Sequence, residues 1–188
     1  MNSEQIRSEL SIRCKNGIPF LMAATIVWTI ILSICFMSYK VESKNIMILY
    51  SAGLIFPLAI LIAKVIKAEW KTNDNVLGLL GLYLNIAQIM YFPLLFWAFS
   101  KNAEYMIMFL AVITGAHFFP YGWYYNAKGY FIMAPLISIS ITIMGWNISE
   151  FVLWRIPLTM IVLLLVLNVW LYIDWNKKRL NIECDYSN

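Results

Sequence analysis

Residues 18–38 read IPFLMAATIVWTIILSICFMS, an unbroken run without a charged side chain. The hydrocarbon core of a bilayer is about 30 Å thick and takes about 20 helical residues to cross. The stretch is therefore a membrane span, and it is longer than the apolar region of a signal peptide. Five further apolar runs follow at 46–66, 76–99, 105–123, 130–146 and 151–175. Lipid cannot satisfy an open backbone, so each run is read as a helix. The predicted fold class is an all-α integral membrane protein, a bundle of six transmembrane helices in a single membrane domain spanning 1–188, with both termini cytoplasmic.

Composition agrees with this class. The chain of 188 residues is 62% hydrophobic and 13% charged, with mean hydropathy +0.72, whereas soluble domains run about 45–50% apolar and about 25% charged. The net charge of +4 is spread over tails and short loops. No basic patch interleaved with aromatics is present, so no nucleic-acid partner is predicted. Cys14, Cys35 and Cys184 have no CxxC spacing and are read as free thiols. The sequence contains no metal-ligating motif and no cofactor fingerprint, and none is assigned.

Positive charge sets the expected orientation. The tail 1–16, the loop after the second span, Lys128 and the tail 176–188 carry ten Lys and Arg, whereas Lys40, Lys44, Lys101 and Arg155 make up the other side. Ten against four places the tails in the cytosol. The N-terminal tail, with Ile6, Leu10 and Ile12 among charges, is read either as a short amphipathic helix on the membrane surface or as a solvated tail. Pro57, in the middle of the second run, should kink that helix. Trp70 suits a headgroup anchor, and Glu150 with Arg155 marks the outer mouth of the sixth span.

Polar residues within the spans nominate an interior site. Gly78, Gly81, Asn85 and Gln88 are spaced three, four and three apart, so they share one face of the third span, and that face should pack inward. Thr114, His117 and Tyr121 share a face of the fourth. At 1.5 Å per residue His117, the only histidine, lies roughly 18 Å along the helix from Tyr105, well inside the core. Intramembrane ionisable groups are costly and point to function. A bond to a neighbouring helix, contact with a ligand, and proton transfer are the three uses open to this imidazole. Asn168, deep in the sixth span, is a further candidate partner for Asn85, Gln88 or His117. Pro120 should open the helix end just after the histidine, and Tyr121, Trp123, Tyr124 and Tyr125 read first as an interfacial aromatic belt. The hydroxyls of Thr25, Thr29, Ser33, Ser138 and Thr142 are expected to bond their own helices four residues back.

The run Lys15-Asn16-Gly17-Ile18-Pro19-Phe20, together with His117-Phe118-Phe119-Pro120-Tyr121, Lys128 and Tyr130, resembles a bacterial multi-pass membrane family catalogued as domain of unknown function 7010. The resemblance spans the chain. It implies a bacterial cytoplasmic membrane and supplies no catalytic residue to transfer.

Three functions fit these residues. The first is a carrier or binding protein whose cavity, lined by Asn85, Gln88, Thr114, His117 and Tyr121, with Asn168 as a further candidate, takes a small molecule or lipid. The second is a lipid-modifying enzyme using His117 as general base, although no HExxH, paired carboxylates or serine motif accompanies it. The third is a structural or regulatory partner, a homo-oligomer included, that associates through the Gly78 and Gly81 face.

Overall fold

A computed structural model describes residues 3–72, 74–146 and 152–185, with side chains as far as 181. Every regular element among them is helical: α1 (Ser3–Arg13), a 3₁₀ turn (Lys15–Gly17), α2 (Ile18–Cys35), α3 (Val41–Gly53), α4 (Ile55–Val65), α5 (Gly78–Ile89), α6 (Phe92–Lys101), α7 (Tyr105–His117), α8 (Phe119–Tyr124), α9 (Lys128–Gly145) and α10 (Arg155–Asp185). They make six helical segments long and apolar enough to cross a membrane: Lys15–Cys35, Val41–Val65, Gly78–Lys101, Tyr105–Tyr124, Lys128–Gly145 and Arg155–Asn181. Leu61, Val65, Ile139, Ile143 and Val169 stay well exposed on the outward faces, a surface suited to lipid rather than water.

Prolines break three of these segments. The second bends at Leu54, between α3 and α4, with Pro57 in the first turn of α4. The third bends at Met90 and Tyr91, ahead of Pro93 in α6. The fourth bends at Phe118, ahead of Pro120 in α8. A proline has no N–H to give and its ring crowds the carbonyl four residues back, so the helix before it ends early. Pro135 sits inside α9, which runs on through it.

The bundle has a solid half and an open half. Val27, Trp28 and Ile31 of α2, Met106, Ile107 and Ala111 of α7, Ile137 and Ile141 of α9, and Ile156, Met160 and Leu164 of α10 are almost wholly buried. In contrast, α5 has no fully buried residue and approaches the bundle mainly through α7. The space this leaves is the candidate site.

Both tails are more ordered than the sequence suggests. The N-terminal segment is helix α1, with Leu10 and Ser11 fully buried, and the C-terminal helix continues past Trp175 to Asp185. One buried turn joins them. Lys15, Asn16 and Gly17 have φ of +49°, +53° and +76°, a left-handed run that glycine adopts freely and asparagine tolerates. It reverses the chain between α1 and α2. The Asn16 amide donates to the Leu171 carbonyl and to Asp174, at 3.0 Å each, and its own carbonyl accepts the Tyr130 hydroxyl at 2.7 Å. Lys178 donates to Asp174 (2.7 Å), Ser11 (3.0 Å) and the carbonyls of Tyr125 (3.1 Å) and Asn126 (2.9 Å). The i, i+4 pair Asp174–Lys178 and these partners, Ser11 and Tyr125 among them buried, carry α10 beyond the expected end of its span.

The same end gathers the loop between α4 and α5. Arg13 donates to Glu69 through two bonds (3.0 and 2.7 Å), to Asp74 through two more (2.9 and 2.8 Å), and to Glu9 (2.8 Å). Arg7 lies 4.9 Å over the Trp123 ring and reaches its carbonyl. Thus the four positively charged segments grouped by the charge count meet at one end of the bundle. Glu150 and Phe151, expected at the opposite mouth, lie outside the described residues, and Arg155 rests 5.8 Å over Trp154.

Candidate functional site

Within the open half, a partly open cavity of about 250 Å³ is lined by α2, α4, α5, α7, α8 and the loop leading into α5. Of the residues nominated from sequence, Asn85, Gln88, Thr114, His117 and Tyr121 all line it. Helical spacing brought each set onto one face, and Tyr121, beyond the break at Phe118, still lines the same space as Thr114 and His117. Asn168 is elsewhere. Its amide donates to Thr25 on α2 (3.3 Å) and to the Leu164 carbonyl (2.9 Å), so it glues α10 to α2 and meets none of the residues it was paired with.

The polar side chains at the cavity are only partly satisfied. Thr114 donates to the Leu110 carbonyl at 2.8 Å and Asn85 to the Gly81 carbonyl at 2.9 Å. Both bonds stay within their own helices. The cross-helix partner expected for Asn85 is therefore absent among the described residues, because α5 stands off from α2 and α4. His117 makes a T-shaped contact with Tyr121, ring centroids 5.2 Å apart, and no hydrogen bond reaches its imidazole among the described residues. Among the described residues three buried side-chain atoms have no hydrogen-bond partner: the hydroxyls of Tyr121 and Thr72, both on residues lining the cavity, and the Asn168 carbonyl oxygen, which lies elsewhere. Leaving such a group unpaired costs about 1–3 kcal/mol.

Four tyrosines form one wall. Tyr121, Tyr124, Tyr125 and Tyr130 are all buried, and their rings lie 4.7 to 6.2 Å apart. The interfacial belt expected for the first three is thus corrected. After the break at Phe118, α8 turns these rings inward against the Lys15–Gly17 turn and α9, while Trp123, like Phe119, is exposed. Trp70, expected as a headgroup anchor, stays 41% exposed; it also lies edge-on to Phe56, centroids 5.9 Å apart, and lines the cavity. The glycine face of α5 does point inward, but toward other neighbours than a helix backbone. A methyl group at Gly81 would overlap the Tyr124 hydroxyl, and one at Gly78 the Thr72 carbonyl.

Sequence reasoning missed the loop residues Trp70, Lys71 and Thr72, which close the cavity's end. No periodicity marks them. The one available signal was charge: Glu69 and Asp74 flank them, and these carboxylates hold the loop to Arg13. Cys14 also lines this end and is buried, and burial pushes its thiol up to about 12. Cys14 and Cys35 are free thiols, while the Cys184 side chain lies outside the described residues.

A second cavity of about 460 Å³ adjoins the first. The two share Phe20, Ile55, Phe56, Leu82, Asn85, Gln88 and Thr114. Beyond that shared wall the lining turns apolar, with Val27, Trp28, Ile31, Ile86, Ile89 and Phe92. From Gly17 to Ile31 the joined space follows α2 for roughly 21 Å at 1.5 Å per residue.

The sequence matches the profile of a family of unknown function, DUF7010, over residues 3–174. The chain belongs to that family. The match takes in every cavity residue, α1, and α10 as far as Asp174. No match was found among curated proteins, and none among solved structures. Membership in DUF7010 transfers no chemistry, so function must be argued from the site.

Proposed function

We propose that this protein binds a small molecule or lipid in the cavity between α2, α4, α5 and α7, as a carrier or binding protein of the bacterial cytoplasmic membrane. The observation that carries the reading is the pair of buried, unpartnered hydroxyls, Tyr121 and Thr72, on the wall that also collects Asn85, Gln88, Thr114 and His117. Buried polar groups are ordinarily hydrogen-bonded. Two of the three exceptions among the described residues belong to side chains that line one cavity, the third being the Asn168 carbonyl oxygen elsewhere, and a pair so placed fits a site whose partner is supplied by a ligand.

The alternatives have less support. General-base catalysis needs a group that orients the imidazole, and among the described residues no hydrogen bond reaches that of His117. Association through Gly78 and Gly81 needs those glycines on an outer face, yet they accommodate the Thr72 carbonyl and the Tyr124 hydroxyl. The end that gathers α1, the α4–α5 loop and the end of α10 is assigned to the cytosol from its positive charge.

Native mass spectrometry of the protein released from mild detergent tests the reading. The wild type should carry a discrete bound species that is lost or depleted in His117→Ala and in Tyr121→Phe. Absence of any bound species from the wild type would remove the reading's support.

A further inference from the structure

The joined cavities have a polar end and an apolar end, and the polar end is unbalanced in charge. Among the described residues lining it, Lys71 alone is charged. Its neighbours Glu69 and Asp74 are both tied to Arg13, and Lys71 forms no ion pair among the described residues. Thr72 and Tyr121 line the same cavity, and their unpartnered hydroxyls each have a proton to donate. An ammonium with two free donors recognises an acceptor-rich anion, such as a carboxylate or a phosphate.

The apolar end reaches from the shared wall to Trp28, Ile31 and Phe92. A lipid chain spans half of a core about 30 Å thick, or about 15 Å. The roughly 21 Å from Gly17 to Ile31 matches, in length, one such chain together with its head. The geometry points to a single-chain anionic amphiphile as the ligand, its head among Lys71, Thr72 and Tyr121 and its chain lying along α2 toward Ile31. This rests on the reading of the cavity as a ligand site and adds the chemical class.

Trp28 is buried from lipid and lines only the apolar arm, so a bromine at the end of a bound chain should quench it. Protein in phosphatidylcholine nanodiscs at pH 9 would be titrated with 16-bromohexadecanoate, with a lysophosphatidylglycerol carrying the same brominated chain, with 16-bromohexadecanol and with a 16-bromohexadecyl trimethylammonium salt. Specific quenching is the fraction that saturates and is displaced by unbrominated hexadecanoate in the wild type. Its absence in Trp28→Phe locates it.

The inference expects saturable quenching by one or both anionic probes, the better of the two identifying the head as carboxylate or phosphate. Lys71→Gln should weaken that binding about tenfold. Binding of the alcohol or the ammonium salt as tight as that of the anions, or no change in Lys71→Gln, would overturn the assigned class while leaving the site in place. Saturable quenching by none of the four would overturn the site together with the class.

Discussion

Tyr121 and Tyr130 sit with ring centroids 6.0 Å apart and use the same phenol in opposite ways. The Tyr130 hydroxyl donates to the Asn16 carbonyl at 2.7 Å and holds the turn between α1 and α2, whereas the Tyr121 hydroxyl has no partner. Tyr130→Phe should therefore cost about 1–3 kcal/mol of stability by orphaning a buried carbonyl. Tyr121→Phe should leave thermal stability of the ligand-free protein unchanged or slightly raised, and weaken ligand binding about two- to tenfold. Thermal unfolding in detergent and a binding titration on both variants check the contrast. Cys14 offers a second test at this scale. Burial pushes its thiol up to about 12, so at pH 8 it is protonated as well as shielded, and the thiolate is the reactive form. A maleimide should modify Cys14 slowly in folded protein and rapidly after denaturation, even with both membrane faces accessible. Labelling of the native thiol is thus unsuited to reading topology.

At the scale of the elements, the α4–α5 loop depends on one guanidinium. Arg13 binds Glu9, Glu69 and Asp74 from a partly exposed position, where single ion pairs are individually weak. Arg13→Gln should raise amide exchange across residues 66–72 by roughly fivefold and leave α9 unchanged. Asp74 gives the effect a pH signature. Its hydrogen bonds to Arg13 hold its carboxyl below the usual value of 3.8. The folded pKa lies below the unfolded one, so the latch's contribution is whole above that ordinary value and is lost as pH falls through the folded one. Opening of the loop, corrected for intrinsic exchange, should accordingly increase on going from pH 6 to strong acid in the wild type, and increase less in Arg13→Gln. This loop also shows where sequence reading stops. Asn85, Gln88, Thr114, His117 and Tyr121 were legible because a period of 3.6 sorts residues onto helix faces. Trp70, Lys71 and Thr72 were not, because their placement follows from long-range contacts to Arg13. Asn168 was recognised as needing a partner, but helical spacing cannot say which neighbouring helix supplies it, and it was Thr25.

At the scale of the whole molecule, six apolar runs were enough to fix an all-helical membrane fold, since lipid leaves the backbone no other way to satisfy its hydrogen bonds. The open half was not legible, because it depends on how far α5 stands from α2. The orientation can be tested with cysteines introduced at exposed sites in a chain lacking Cys14, Cys35 and Cys184. Lys71→Cys lies at the end assigned to the cytosol, and Lys101→Cys at the other. A membrane-impermeant maleimide on intact cells should label Lys101→Cys and spare Lys71→Cys, and the reverse pattern would invert the assignment. The central claim, a ligand site in the open half, is tested most directly by an experimental structure of the wild-type protein grown from a lipidic mesophase. The account predicts elongated density between α2 and α5, beginning at the Tyr121 and Thr72 hydroxyls and ending near Phe92. A structure in which α5 is closed against α2, with Asn85 and Gln88 bonded across to it and no space for a chain, would contradict it.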